Sequence, residues 1–425
     1  MKRRWLWAGA AVLGLAAGLY IGLPYLLVQR LGLGTVRRGP LAGRRVALTF
    51  DDGPDPAHTP AVLDALQEAG MQATFFVLAE AAEQHPDLLQ RIGAEGHEIG
   101  VHAAQHRHAW VRTPLDAYRD PIRAARALER LGLHPRWGRP PHGAYTLATL
   151  AGMRQAGLIP VHWTIEGGDW RASAAPAEVT RHILDELHGG AVTVLHDSGP
   201  GARVTPKALP SLLAGMQARG FRSVTLSELG VQPLKGRDIP ARLMAQLDIR
   251  LDRALGIRPA LGRREGLFRL QAARFPLPGL RWPDGTPIPR GTPALEFHVN
   301  NPLLVELGLQ KFIPRARQEL RWVAQEWAAQ GDQDERGEQG RPDYARAQYL
   351  YCLSVHGPVL ARLGLTSVPL APFDAWRLKL WSDVMHRAYG TAPRRAAPVL
   401  SIITREDFMR RYGGAASLSL ESSKE

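Results

Sequence analysis

With 425 residues, 45% apolar and 22% charged, the chain is long enough for two globular domains and too apolar to be disordered. Its net charge of +13 and pI near 10.3 come from arginines spread along the whole sequence, with no basic run or aromatic-interleaved basic motif. Nucleic acid is therefore set aside, and an anionic envelope surface is the partner class that the charge fits. The single cysteine, Cys352, excludes an intrachain disulfide and any cysteine-based metal cluster, and its apolar neighbours make it a core residue.

The N-terminus reads Met1-Lys2-Arg3-Arg4 and then an uncharged apolar stretch from Trp5 to Val28, enough at 1.5 Å per residue to cross about 30 Å of hydrocarbon. No small-x-small cleavage site follows before Gln29-Arg30, so residues 1–28 are read as an uncleaved signal anchor, with a cleaved signal peptide second. Orientation rests on what the soluble part does, because arginines lie on both sides of the span. Residues 29–44 form a Gly/Arg/Pro linker.

From Val46 to about Leu229 strands and helices alternate. Strands are expected at Val46–Phe50, Ala73–Leu78, His97–Val101, Trp137–Arg139, Leu158–Thr164, Ala191–Leu195 and Phe221–Leu226. Helices are expected at Pro60–Ala69, Pro86–Ala94, Pro114–Leu131, Thr146–Ala156, Pro176–Leu187 and Pro206–Ala218. Repeated βα units imply a parallel sheet, open or closed into a barrel, with chemistry collected at the C-terminal ends of the strands.

Those ends carry titratable residues. Thr49-Phe50-Asp51-Asp52-Gly53-Pro54 closes the first strand with two adjacent acids, which leave it in different directions. Either this is an Asx-type turn with a helix cap, or one acid binds a cation while its neighbour takes a proton. His102 and His106 face the same side if their segment makes a helical turn. Asp52 with His102 and His106 would be a two-His, one-carboxylate metal site with open positions, and Asp51 beside it a base. His97 and His108 lie nearby and are read as solvated. Arg139, before Pro140-Pro141-His142-Gly143, could orient Asp51. His196 ends a buried strand and, with a carboxylate on its other nitrogen, fits a general acid.

These motifs, in this order on these strand ends, resemble the polysaccharide deacetylase family (NodB homology domain, carbohydrate esterase family four) over roughly Val46–Leu229. The resemblance implies a distorted (β/α) barrel that removes N-acetyl groups from amino sugars with one divalent cation, zinc first and Co2+, Mn2+ or Fe2+ as alternatives. It makes Asp51 the base, Asp52, His102 and His106 the metal ligands, and His196 the acid. Arg139 would hold Asp51, and Asp169 would hold His196. Trp170 and Leu195 would line the pocket for the acetyl methyl, and the backbone N–H of His142 would help stabilise the oxyanion. Two positions depart from the family: Ala103 stands where Ser or Thr is usual, and His142 where Tyr or Phe is usual.

Residues 45–230 are thus expected to form the deacetylase domain, and 239–412 a smaller α+β accessory domain. The C-terminal part has expected helices at Ala241–Leu255, Phe312–Ala329, Tyr344–Arg362 and Ala375–Met385. Its expected strands are Ala294–Asn300 and Val399–Ile403, with loops at Pro276–Pro293 and Gly331–Arg341 and a disordered tail at 413–425. On its Glu296-Phe297-His298-Val299-Asn300 strand and the domain order it resembles the YkoP-like module appended to some bacterial deacetylases. Glu296 and His298, on one strand face, read either as a polar pair or as a ligand or second-metal site. The expected whole is an enzyme anchored by one span in the cytoplasmic membrane, its catalytic domain outside, acting on an N-acetylated glycan such as peptidoglycan or a chitin-like oligomer. The competing readings are a non-catalytic envelope glycan-binding scaffold and a deacylase of a lipid-linked sugar.

Overall fold

The computed structural model describes residues 14–15, 17–259, 266–331, 346–389 and 396–414. The chain divides into two compact units, Met1–Ile239 and Pro240–Glu425. Residues 5–13 and 16 of the expected span Trp5–Val28 lie outside the described residues, and the rest lie within them. Among those described, no helix is long and apolar enough to cross a membrane. Gly18–Gly22 and Tyr25–Arg30 are wide π-type helical turns.

The first unit is built on strands β1 (Arg45–Asp51), β2 (Ala73–Leu78), β3 (Glu98–Ala103), β4 (Trp137–Gly138), β5 (Ile159–Pro160), β6 (Ile165–Glu166), β7 (Val192–His196) and β8 (Arg222–Ser223). All their pairings are parallel, in the order β5-β4-β3-β2-β1-β7-β6, with β8 beside the start of β1. Among the described residues no ladder joins β5 to β6, so the barrel is incomplete. The chain at Val36 and Arg38 bridges the interval, pairing with Val161 and Ala191.

Alternation along β1 sorts its side chains. Val46, Leu48 and Phe50 pack under the helices with Phe75, Val77 and Val101, while Ala47 packs on the other face with Phe76, Trp137 and Val192. Thr49 and Asp51 share the Ala47 face by parity, so the strand that builds the core also aims a carboxylate inward. The helices begin on local signals. Thr113 caps Pro114–Arg130 by accepting the Asp116 N–H, and Thr146 caps Leu147–Gln155 by accepting the Thr149 N–H. Several elements differ from the reading by sequence. Phe221–Leu226 gives only the two-residue β8 before a helical turn at Leu226–Leu229, and a helix at Ala79–Gln84 carried no separate signal.

Among the described residues the second unit holds a six-stranded sheet that runs β13 (Thr366–Pro369), β14 (Val399–Thr404), β12 (Tyr349–Ser354), β11 (Pro293–Val299), β10 (Phe268–Arg274), β9 (Arg258–Pro259) from edge to edge. Helices Asn301–Gly331 and Pro372–Ala388 accompany it. The helix expected over Tyr344–Arg362 is instead β12 followed by a short helix at Gly357–Ala361. Pairing on both sides, with β11 and β14, overrides the local pattern. Cys352 is buried on β12. The expected loop at 332–341 and the tail beyond residue 414 lie outside the described residues.

Candidate active site

The site lies where β1, β3 and β7 end. Asp51 is the last residue of β1 and only 3% exposed. Arg139, just past β4, donates from Nη1 to Asp51 Oδ1 (2.7 Å) and to Thr49 Oγ1 (2.8 Å). The guanidinium is fully buried, 4.2 Å from the Phe76 ring centroid and 5.5 Å from that of Trp163. Those faces fix its plane, so Asp51 keeps one committed oxygen and one, Oδ2, free of Arg139.

Asp52 turns away in a left-handed conformation (φ 79°). That turn points its carboxylate at the imidazoles: Oδ1 lies 3.1 Å from His102 Nε2 and 3.2 Å from His106 Nε2. Despite these separations neither ring N–H is aligned on Oδ1, which is a buried acceptor without a hydrogen bond. Three potential donor atoms therefore converge within 4.8 Å on one space. A two-imidazole, one-carboxylate set of that kind fits a divalent cation such as zinc. Burial works against the Asp52 charge, and the two imidazoles overcome it, holding the carboxyl far below the usual range.

The histidines are not brought together by a helical turn. His102 is a strand residue of β3, and His106 sits in the irregular segment that follows. The bend after Ala103 folds the second ring back until it lies 5.8 Å from the first, nearly parallel. Ala103 itself is buried on β3. His142, also left-handed (φ 59°), lies against both His106 and His108, each at 4.9 Å between ring centroids. A ring array at the rim thus replaces the solvated role expected of His108.

On the opposite wall, His196 ends β7. Its Nδ1 is 2.9 Å from Asp169 Oδ1, its backbone N–H donates to Asp169 Oδ2 (2.8 Å), and Thr205 donates to the same oxygen (2.6 Å). Burial alone would lower the imidazole. The Asp169 hydrogen bond and charge, with Asp51 and Asp52 behind them, lift it to about 9. With Nδ1 held by Asp169, Nε2 is the ring nitrogen that Asp169 does not engage. Trp170 is 47% exposed at the rim and donates to Glu166. Leu195 is fully buried in the core cluster under the helices.

Sequence reasoning passed over Thr49, Thr205 and Gly201. A Cβ on Gly201 would lie 2.6 Å from Asp169 Oδ2 and 2.7 Å from His196 Cβ, so only glycine leaves room for that pair. Thr49 lies within the recognised motif and was legible. Thr205 and Gly201 are distant in sequence and carried no signal.

The sequence resembles known proteins over the first unit. The family model for polysaccharide deacetylases matches residues 38–161. A chitooligosaccharide deacetylase of Bradyrhizobium is 34% identical over 219 residues, 48% of this chain and all of that protein. The chain belongs to the polysaccharide deacetylase family. The relatives named as peptidoglycan-N-acetylglucosamine and chitooligosaccharide deacetylases hydrolyse a carbon–nitrogen bond. A peptidoglycan-N-acetylglucosamine deacetylase of Bacillus cereus is 35% identical over 45% of this chain and 70% of its own length. A crystal structure of a peptidoglycan N-acetylglucosamine deacetylase covers 48% of this chain and 96% of its own, at 31% identity and a TM-score of 0.45.

Proposed function

We propose that the first unit is a metal-dependent N-deacetylase acting on N-acetylglucosamine units of an envelope glycan, peptidoglycan or a chitin-like oligomer. The observation that carries this is the convergence of Asp52 Oδ1, His102 Nε2 and His106 Nε2 between two separately held proton-transfer groups. The names of the relatives support the substrate class. Asp52, His102 and His106 would hold the cation, zinc first. When bound, such an ion polarises the amide oxygen and acidifies water.

The protein's own groups divide the remaining work. Arg139 occupies Asp51 Oδ1, so Oδ2 accepts the proton as water adds to the amide carbon. The His142 N–H, in its left-handed turn, would help hold the oxygen that becomes negative. His196 Nε2 then protonates the departing nitrogen, the C–N bond breaks, and acetate and a free amino sugar result. Asp169 fixes the tautomer by taking Nδ1. Trp170 would bound the acetyl side of the site from the rim.

Acetate release from chitotetraose and from peptidoglycan fragments tests the reading. Chelation should abolish release, zinc should restore it, and Asp51→Asn should lower it by about 10²–10⁴-fold with the fold intact. Undiminished release by the Asn variant, or by a metal-free sample, would remove these roles. A glycan-binding scaffold would instead keep its binding after chelation and release no acetate.

We place the enzyme in the cytoplasmic membrane, anchored through Trp5–Val28 with the catalytic unit outside; protease protection in spheroplasts checks this. One observation favours a lipid-linked sugar as a second substrate reading. Tyr25 packs edge-on to Trp110 at 6.3 Å, and Gln29 donates to the Gly143 carbonyl beside His142, so the N-terminal segment reaches the rim of the site. A higher kcat/KM on a polyprenyl-linked than on a free acetylated sugar would select it.

A further inference from the structure

The second unit contains a cavity of about 380 Å³ between its sheet and the helix Pro372–Ala388. Its floor is polar. Arg269 on β10 and His298 on β11 are register partners, and Glu296 lies two residues from His298 on the same strand face. A sheet face under a helix is where apolar residues are expected, and buried polar atoms there cost free energy unless matched. Two atoms on this floor are not matched: His298 Nε2 and Arg269 Nε are buried without hydrogen-bond partners. Arg269 is engaged through its terminal nitrogens by Asp252 and the Val299 carbonyl, and both of these residues also line the cavity. Glu296 Oε2 accepts the Tyr351 hydroxyl (2.9 Å), and Oε1 lies 3.9 Å from His298 Nε2, too far for a hydrogen bond. Among the described residues the carboxylate therefore faces no charged cation within 4 Å.

We infer that this cavity binds a protonated amino sugar, with the ammonium at Glu296, a hydroxyl at His298 Nε2 and the pyranose C–H face against Trp381. Trp381 is 45% exposed and lines the cavity, offering the aromatic face that both a sugar and an ammonium favour. A metal ion is the poorer occupant. Among the described residues the only set of three convergent metal-type ligands is the one in the first unit. Burial pushes Glu296 up and His298 down to about 4, so the imidazole is neutral and supplies no counter-charge. An arriving cation would offset that burial. The source of such a sugar rests on the proposed deacetylation, whose product carries a free amine. The second unit would then hold deacetylated glycan while the first acts on acetylated units.

The test uses the full chain in detergent, carrying Asp51→Asn so that turnover does not interfere. Calorimetric titration compares the tetramer of glucosamine, its fully N-acetylated counterpart and uncharged cellotetraose. The glucosamine tetramer should bind at least tenfold more tightly than either other. Glu296→Gln and, separately, Trp381→Ala should each weaken it at least tenfold. Acetate release from chitotetraose by Glu296→Gln in the otherwise wild-type chain should be unchanged. Equal binding of the three oligomers, no binding, or unaltered binding by the Gln variant would overturn the inference. The oligomer comparison needs no variant, and exposed Trp381 can be replaced if Glu296→Gln does not fold. Loss of deacetylation with amine-selective binding intact would sink the first-unit reading alone, and the reverse outcome this one alone.

Discussion

His196 shows how two opposed effects set the state of one residue. Burial favours the neutral ring, and Asp169, two hydrogen bonds deep in the same pocket, favours the charged one and wins. Because the folded value of about 9 lies above the ordinary 6.5, the stabilisation from this contact is full below 6.5. It is lost as pH rises through 9. In the proposed reaction His196 must hold a proton, so kcat should fall on the alkaline side, at or below that value, since a cation at the proposed site would offset the contribution of Asp51 and Asp52. Asp169→Asn removes the charge and leaves the burial. The alkaline limb should then move acidward by more than one pH unit, with kcat falling more than KM changes. A pH profile of kcat for the two proteins checks this, and an unmoved limb would mean that His196 is not the proton donor.

At the scale of elements, the turn after β1 depends on a neighbour that the catalytic scheme does not use. Asp197 follows His196, is fully buried, and accepts the Thr59 hydroxyl at 2.6 Å. A Cβ on Gly53 would lie 2.6 Å from the Asp197 Cγ, so the turn presenting Asp52 is packed onto this carboxyl. Gly53→Ala should destabilise the unit by about 1–3 kcal/mol, as overpacking does, and weaken zinc binding measured by competition with a chelator. Burial pushes Asp197 up to about 7, so the folded protein keeps a proton that the unfolded chain releases near 3.8. Stability from this group is therefore present below 3.8 and lost as pH rises to 7. In EDTA, Asp197→Asn should flatten the fall of Tm between pH 4 and 7; an unchanged slope would assign that fall to other groups. The strand ends were legible because apolar runs stop at acids and histidines: Asp51, Asp52, His102 and His196 stand out this way, His106 by its spacing from His102, and Arg139 by the Pro-Pro-His-Gly loop after it. Contacts such as Gly53 on Asp197, or Gly201 beneath Asp169, were not, because a glycine's reason lies in what approaches it across the fold. In the second unit, Tyr349–Leu353 looked helical for the same reason: its partners, β11 and β14, are far off in sequence.

For the whole molecule, three core clusters each fall, among the described residues, within one unit. The clusters around Leu48 and Phe76 contain residues of the first unit alone, and the cluster around Phe275, Tyr351 and Ile402 residues of the second alone. The convergent metal-type ligands, among the described residues, lie entirely in the first. A ligand that binds one folded unit stabilises that unit by about RT ln(1 + [L]/Kd), and each core can unfold on its own scale. Calorimetry of the full chain should therefore resolve two transitions. Zinc at 100 times its Kd should add about 2.7 kcal/mol to one of them and leave the other in place. His102→Ala should abolish the zinc shift without moving the second transition, because its ring belongs only to the first unit's site. A single transition that zinc moves as a whole would mean that the units unfold together, and the second unit would then have to be treated as part of the enzyme's stability.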